Sequence, residues 1–261
     1  MSSATTSATN THLDKLEARI LGVRVHAIER ALTVAWIDAW LASGARAHVV
    51  TINPEIVMRA RRDPAYGELL ERTRLNVPDG AGIVAAARLR GLTMPERVTG
   101  VDLVDDLAGL AAVHGYRLLL AGAAPGVADQ AAAELQRRYP ELIPPATMVG
   151  VSGPEGDADA QAVIQQSRPH IVLAAYGAPA QEFWLDRNLR DLAPVVGIGV
   201  GGTLDYLAGV IPRAPAPLRR IGLEWAYRLA REPWRWRRQC ALPEFARLAI
   251  LEALGLEIGV R

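Results

Sequence analysis

The chain has 261 residues, half of them hydrophobic, and its formal net charge is +1. These values argue against an intrinsically disordered chain and against a protein that binds nucleic acid through its overall charge. The single cysteine, Cys240, excludes an intrachain disulfide framework and a cysteine-based zinc site. Residues 1–11 lack the apolar core of a signal peptide, and no apolar run approaches the roughly 20 residues of a membrane-spanning helix. We therefore expect a cytoplasmic protein that binds no nucleic acid and contacts a membrane only peripherally.

Short β-branched or leucine-rich runs alternate with alanine-rich segments along most of the chain. The predicted strands are residues 20–25, 47–51, 73–77, 116–121, 146–149, 170–175 and 194–200. The predicted helices are residues 27–43, 54–62, 80–90, 101–114, 127–138, 157–167 and 180–189. This alternation is typical of a mostly parallel sheet flanked by helices, so we predict an α/β, Rossmann-like fold.

The alternation stops near Pro212, and the remainder is rich in arginine and tryptophan with helical spacing. We therefore predict a flexible N-terminal tail over residues 1–12, a Rossmann-like catalytic domain over residues 13–212 and a C-terminal helical appendage over residues 213–261. The leucine-rich end of the appendage suits packing on the core, on the appendage itself or on a membrane equally well.

A hydroxyl and an amide follow the predicted strand 47–51. Thr51 and Asn53 lie at its carboxyl end, where they can hold a sugar or a phosphate. Another interpretation, favoured when the motif is taken alone, is that Thr51 ends the strand and Asn53 caps the next helix, with Pro54 at its first position.

Asp79 follows the next predicted strand and directly precedes a predicted helix. The run Pro78-Asp79-Gly80 ends the extended segment and places the carboxylate at the carboxyl edge of the sheet. Ligands bind at that edge in open α/β sheets, and a carboxylate there can take a proton from a substrate hydroxyl. Taken alone, Asp79 suits a helix N-cap about as well.

Two glycine-rich turns follow later strands. Gly122 opens one of them, whose backbone N–H groups can face a diphosphate, although the G-x-G-x-x-G pattern is incomplete. Gly201 and Gly202 belong to the other, where backbone can approach a bound group closely, and Asp205 can bind a ribose hydroxyl. A tight turn and a helix cap explain the second motif about equally well.

Gln181 lies in the first turn of the predicted helix 180–189, after another strand end. Its amide suits a sugar hydroxyl or a nucleobase. Its neighbour Glu182 is interpreted as a balance for the helix dipole, without a catalytic role.

The appendage carries eight arginines and two glutamates between residues 213 and 238, interleaved with aromatic residues. Arginine and tryptophan side chains together suit a lipid headgroup interface. A plain core-packing helix is the alternative, because the apolar residues also have helical spacing. The arginines predicted to contact the membrane or an acceptor diphosphate are Arg213, Arg228, Arg235 and Arg238.

The order of the motifs along the chain is more informative about function than any single motif. They are Thr51-Ile52-Asn53, Pro78-Asp79-Gly80, Arg97-Val98-Thr99-Gly100-Val101-Asp102, Gly177-Ala178-Pro179-Ala180-Gln181-Glu182, Gly199 to Asp205, Arg213-Ala214-Pro215, Glu224-Trp225 and Tyr227-Arg228. In this order, over residues 21–238, the chain resembles the WecG/TagA/CpsF family of bacterial glycosyltransferases.

The resemblance implies an inverting glycosyltransferase of cell-surface polysaccharide synthesis: exopolysaccharide, capsule or teichoic acid. It would move N-acetylmannosamine, its uronic acid or glucose from a UDP-sugar to a polyprenyl diphosphate-linked sugar at the inner face of the cytoplasmic membrane. The appendage would dock on that membrane and complete the active site.

The resemblance also assigns roles to single residues. Asp79 would be the general base, and Thr51, Asn53, Arg97 and Gln181 would line the site. An inverting transfer needs one carboxylate to take the proton of the attacking hydroxyl. Arg97, or arginines of the appendage, would stabilise the leaving UDP in place of a metal ion. We expect no cofactor and no required metal.

Two other functions compete with this one. A Rossmann-like sheet also suits a nicotinamide-dependent oxidoreductase, although the complete glycine fingerprint with its acidic residue is missing. A non-enzymatic peripheral membrane protein would use the basic appendage but leave Asp79 and Thr51 unexplained. A homo-oligomer is a further expectation, since many leucines would otherwise be exposed.

Overall fold

The computed structural model describes residue 13 and residues 15–256, except for the side chains of Arg235 and Arg238. The tail predicted over residues 1–12 therefore lies outside the described residues. Eight strands occur in the described part: β1 (Glu17–Ile20), β2 (Val23–His26), β3 (Arg46–Ile52), β4 (Leu75–Pro78), β5 (Leu118–Gly122), β6 (Ala146–Met148), β7 (Ile171–Ala175) and β8 (Val195–Gly199).

Six of these strands form one sheet in the order β4-β3-β8-β7-β5-β6, and every neighbouring pair is parallel. The β4, β5 and β8 strands are buried at every residue, as expected of a parallel sheet that helices cover on both faces. The predicted Rossmann-like α/β fold is confirmed. All six carboxyl ends lie at one edge of the sheet, where the chain places its polar motifs.

Thirteen α-helices connect or flank the strands in the described part of the chain. They are α1 (Arg30–Ala42), α2 (Pro54–Arg62), α3 (Pro64–Arg72), α4 (Ala81–Leu89), α5 (Gly100–His114), α6 (Val127–Arg138), α7 (Asp157–Ser167), α8 (Ala180–Asn188), α9 (Thr203–Leu207), α10 (Ala216–Arg220), α11 (Glu224–Arg231), α12 (Trp236–Gln239) and α13 (Ala241–Ala253). Most lie within a few residues of the predicted segments.

Three elements differ from the prediction, and one of them is α9, a short helix that lies outside the predicted segments. The single strand predicted over residues 20–25 is wrong: Leu21 and Gly22 have φ values of 51° and 86°, so the chain reverses and forms the antiparallel β1–β2 hairpin. The helix α3 was not predicted. Asp63 accepts a hydrogen bond from the N–H of Tyr66 and Pro64 fills the first helical position, a start signal present in the sequence.

The end of the chain packs on the core. Phe245, Leu248 and Ala249 of α13 are buried in a cluster with residues of α2, α3 and α4. By contrast, neither α10 nor α11 contains a buried residue, so the core-packing interpretation does not describe them. The division of the chain at residue 212 stays a prediction. Within the described residues, the helices are too short or too polar to cross a bilayer.

Candidate active site

A cavity of about 980 Å³ lies at the carboxyl edge of the sheet. Its walls come from the segments that follow β3, β4, β5, β7 and β8, together with parts of α11 to α13 and the connection before α11. This volume suits a drug-sized or larger ligand. The predicted site residues in its lining are Thr51, Asn53, Asp79, Arg97, Gln181, Gly201, Gly202, Asp205 and Arg228.

Four predicted residues stand apart from that lining. Gly122 and Arg213 are described but do not line the cavity. Arg235 and Arg238 have side chains outside the described set, so their predicted roles have no structural account.

Asp79 directly follows β4, and its backbone N–H donates to the Ile52 carbonyl at 2.7 Å, which ties the ends of β3 and β4 together. The helix cap interpretation does not hold, because the N-cap of α4 is Gly80 and makes no side-chain cap hydrogen bond. The carboxylate lines the cavity instead.

Burial raises the pKa of Asp79 from 3.8 to about 7. Arg97 opposes this rise, while the negative charges of Glu224 and Asp102 add to it. A carboxyl group with a pKa near neutrality, in a cavity at the edge of an α/β sheet, is suited to accept a proton from a bound hydroxyl.

Arg97 lies beside Asp79 and is held by the appendage. Its guanidinium donates to the Arg219 carbonyl at 3.3 Å and lies 3.7 Å from a carboxylate oxygen of Glu224. With 21% of its side chain exposed, Arg97 is a cation that faces both the cavity and the appendage. Such a guanidinium can bind phosphate oxygens.

Thr51 and Asn53 have structural partners as well as a place in the lining. The Thr51 hydroxyl donates to the Gly199 carbonyl at 3.2 Å, joining the ends of β3 and β8. Asn53 accepts from the Ile56 N–H at 3.0 Å, so it is the N-cap of α2, with Pro54 as the first helical residue. The cap interpretation of Asn53 is confirmed, and its contact with a ligand stays a prediction.

Gln181 fastens two loops around the cavity. Its side-chain oxygen accepts the N–H groups of Gly177 and Gly201, each at 3.0 Å. Its amide nitrogen donates to Glu182 at 2.7 Å. The side chain is 3% exposed, so it positions the turns after β7 and β8 while it lines the cavity.

Glu182 is more deeply buried than its interpretation as a dipole partner implies. It is 0% exposed, and burial raises its pKa to about 7 despite hydrogen bonds from Gln181 and Tyr66. Unlike Asp79, it does not line the cavity. Among the described carboxyl groups, Asp79 and Glu182 both have a pKa raised to about 7, and of these two only Asp79 lines the cavity.

Gly122 shapes the cavity without lining it. Its φ is 90°, and a Cβ at this position would lie 2.9 Å from the ring of Tyr176. Tyr176 follows β7 and lines the cavity, and its ring packs 5.4 Å from that of Trp184. Glycine is thus required at this position both by the backbone conformation of the turn and by the space that the Tyr176 ring occupies.

Two arginines fasten the appendage to the sheet domain. Arg213 pairs with Asp102 at 2.7 Å and with Glu224 at 3.3 Å. Arg228 pairs with Asp205 at 3.1 Å and with Glu232 at 2.5 Å. A side chain at Gly202 would collide with the Arg228 guanidinium. Arg228 and Asp205 therefore meet inside the cavity lining, whereas Arg213 is engaged outside it.

Asp102 belongs to this network and not to a metal site. Burial raises its pKa, but hydrogen bonds from Arg213 and Thr99 outweigh that effect and leave the pKa at about 2. Over the described ranges, no group of three or more histidine, cysteine or acidic residues is arranged to hold a metal ion. The expectation that no metal is required stays a prediction.

The fold and cavity define an α/β enzyme whose site joins a carboxylate of raised pKa to arginines from an appended helical segment. The model of the glycosyl transferase WecG/TagA/CpsF family matches residues 18–258. The chain belongs to this family and is a glycosyltransferase, which confirms the resemblance seen in its motifs and sets aside the oxidoreductase and the non-enzymatic protein.

The names of similar proteins agree with the assignment of this chain to a family of glycosyltransferases. A protein of Bacillus subtilis (strain 168) is 34% identical over 207 residues, which cover 78% of this chain and 79% of the relative. One of Staphylococcus aureus (strain MW2) is 33% identical over 202 residues, covering 76% and 77%. Both are called N-acetylglucosaminyldiphosphoundecaprenol N-acetyl-β-D-mannosaminyltransferase. The predicted class of reaction matches these names.

The sequence assigned no role of their own to Glu224 and Tyr176, and it assigned a different role to Glu182. Glu224 was part of a motif, but its closeness to Arg97 and Asp79 depends on the fold. Tyr176 was hidden at the end of a strand, where only the following Gly177 marked a turn. The burial of Glu182 had one signal, because it lies between apolar residues on a helix that packs on the sheet.

Proposed function

We propose that this enzyme transfers an N-acetyl-β-mannosaminyl unit from its UDP-sugar to N-acetylglucosamine linked to a polyprenyl diphosphate. The names of the relatives support this donor sugar over the uronic acid and glucose. The cavity supports it by its size and by its mixture of polar and apolar walls.

The observation that carries the proposal is the position of Asp79. Its carboxylate lines the cavity at the end of β4 and has a pKa of about 7. In the reaction, it takes the proton from the acceptor hydroxyl as the hydroxyl oxygen attacks the anomeric carbon. The bond to UDP breaks on the opposite face, so the configuration inverts and no covalent intermediate forms.

The leaving UDP gains negative charge as this bond breaks. Arg97 and Arg228 are the described arginines of the predicted set that line the cavity, and they can stabilise that charge. We propose that they do so without a metal ion or another cofactor. Thr51, Asn53 and Gln181 keep the surrounding turns in place and complete the walls.

The experiment that tests this function measures UDP release from a panel of UDP-sugars, with a polyprenyl diphosphate-linked N-acetylglucosamine as acceptor. We expect acceptor-dependent release with UDP-N-acetylmannosamine and a disaccharide product whose new bond is β. Release with the uronic acid or glucose donor alone would change the proposed sugar, and a retained configuration would contradict the mechanism.

Glu224 raises the pKa of Asp79, the proposed base, and a pH profile can test this effect. The charged groups that act on the pKa of Asp79 are Arg97, Glu224 and Asp102. Because Glu224 raises the Asp79 pKa, Glu224→Gln should shift the acidic limb of kcat/KM to lower pH by roughly half a unit to one unit. Glu232→Gln is the matched control on the same segment and should leave the limb in place. A shift to higher pH would contradict the arrangement.

The enzyme meets its acceptor as a peripheral protein on the inner face of the cytoplasmic membrane in this proposal. Large apolar side chains of the appendage face solvent: Ile221, Trp225, Trp234 and Trp236 are 67%, 45%, 70% and 56% exposed. Exposed aromatic residues among arginines are typical of a surface that inserts at the level of lipid headgroups.

The two most exposed tryptophans allow a test of membrane binding. We expect the double variant Trp234→Ser, Trp236→Ser to lose at least tenfold in affinity for vesicles of anionic phospholipid in sedimentation, because each indole contributes apolar area at the interface. The protein should stay folded, since neither side chain is buried. The matched control is Val113→Ser, an exposed residue of α5. Unchanged vesicle binding of the double variant would contradict the docking surface.

A further inference from the structure

The cavity extends beyond its polar part into an apolar groove between α4 and α13. One wall is a face of α4 and the other is a face of α13, and in each helix the lining positions recur at the spacing of a single face. We call this the α4–α13 groove. Its lining residues are Ala81, Gly82, Ala85, Ala86 and Leu89 on α4, and Ala241, Leu242, Phe245, Ala246, Ala249 and Ile250 on α13.

The groove is open although its walls are apolar. Leu89 is 57% exposed and Ile250 is 50% exposed, whereas Ile83 and Leu248 on the same helices are buried in the core. The two helices thus use one side for the core and present a second apolar side to a cavity. A contiguous exposed apolar surface of this kind is typical of an interaction site or a ligand-binding groove.

The groove begins at the site of the reaction. Asp79 and Gly80 immediately precede α4, and the nine residues of α4 carry its lined face about 13 Å away from them. At the near end, a Cβ on Gly82 would lie 2.7 Å from Pro54 and 3.6 Å from Phe245. A side chain at Gly222 would collide with Ala81. The catalytic part and the groove therefore join at the closely packed start of α4.

Charges accompany the groove at its sides. Arg59 and Arg62 of α2 and Arg237 of α12 line the same cavity together with the acidic Glu55 and Asp63. Arg62 forms an ion pair with Glu244. An occupant with a negatively charged head and a long apolar chain fits this distribution, since its charges meet arginines while its chain meets α4 and α13. The proposed acceptor has that chemistry: a sugar on a diphosphate that is esterified to a polyprenyl chain.

We propose that the α4–α13 groove binds the prenyl units of the acceptor that lie nearest its diphosphate. The inference rests on the proposed function for the identity of the acceptor. It adds that the enzyme itself, and not only the membrane, binds the lipid chain. The acceptor hydroxyl then reaches Asp79 from the side of α4.

The test compares acceptors that differ only in chain length and need no membrane. N-acetylglucosamine diphosphate esterified to a fifteen-carbon prenyl chain should bind the wild type at least tenfold more tightly than its five-carbon analogue in calorimetry. Leu89→Glu and Ile250→Glu should each reduce that difference to less than threefold and leave affinity for the five-carbon compound within twofold. Both side chains are half exposed or more, so these variants should fold, which thermal unfolding checks.

Val113→Glu, on an exposed part of α5, is the matched control and should keep the full chain-length dependence. Equal affinity of the wild type for both chain lengths would overturn the proposal that the groove binds prenyl units. So would a change from dimer to monomer in the glutamate variants with chain-length dependence intact, which would make the groove an interface between copies. Chain-length-dependent binding without any sugar transfer would support the groove and contradict the proposed function alone.

Discussion

Replacing Asp79 by Asn is expected to lower kcat for acceptor-dependent UDP release by a factor of about 10²–10⁴, the usual contribution of a general base. The amide keeps the size of the side chain but cannot take the acceptor proton. UDP-sugar binding should change little, because the proton transfer belongs to the chemical step. Initial rates at saturating donor and acceptor measure the loss.

The same substitution should stabilise the fold. The pKa of Asp79 is raised above its ordinary 3.8 to about 7, so the folded protein binds this proton more tightly than the unfolded chain does. The free energy of unfolding therefore decreases as the pH rises from 3.8 to about 7, and the substitution by Asn removes this decrease. We expect the free energy of unfolding in urea to rise by up to about 4 kcal/mol above pH 7, because each unit of the rise in pKa corresponds to about 1.4 kcal/mol.

Glu182→Gln is the matched control for both effects. Its carboxyl also has a pKa raised to about 7 by burial, so its amide variant should likewise be more stable above pH 7. Because Glu182 lies outside the cavity lining, its variant should retain activity within tenfold of the wild type. Equal loss of activity in both variants would show that Asp79 acts through structure and not as the base.

Replacing Arg97 by Gln is expected to lower kcat/KM by a factor of about 10²–10³, comparable to the removal of one donor to a developing negative charge. Arg97 also lowers the pKa of Asp79, so the acidic limb of the pH profile should move to higher pH in this variant. The two effects together separate a cation in the site from a surface arginine.

Arg137→Gln is a suitable control for Arg97, because Arg137 is an arginine of α6 with 72% of its side chain exposed. It should leave both rate and pH profile unchanged. If Arg97→Gln lowers the rate without moving the acidic limb, then Arg97 does not act on Asp79 in the way that the structure indicates.

The sheet and its functional edge could be predicted from the sequence because both depend on local patterns. Alternating apolar runs and alanine-rich segments predict parallel strands and their helices. Turns such as Pro78-Asp79-Gly80 then place polar residues at strand ends, and parallel strands gather those ends at one edge. Thr51, Asp79 and Gln181 reach one cavity for this reason.

The contacts made by the appendage could not be predicted in the same way. Glu224 reaches Arg97 across 127 positions in the chain, and α13 returns to α2 and α4, so both depend on packing between distant segments. The hairpin at Leu21 was not predicted because a leucine rarely has positive φ, although Gly22 beside it was a turn signal. The glycine pattern at Gly122 suggested a bound ligand, whereas in the fold the glycine leaves room for the ring of Tyr176.

The role of Asp79 is tested most sharply by acceptor-dependent UDP release as a function of pH, in the wild type and in Glu182→Gln. We predict that kcat/KM decreases at pH values below an apparent pKa near 7 in both proteins, because Asp79 must be ionised to take the proton. An acidic limb that is absent from the wild type, or that disappears with Glu182, would contradict the assignment of Asp79 as the base.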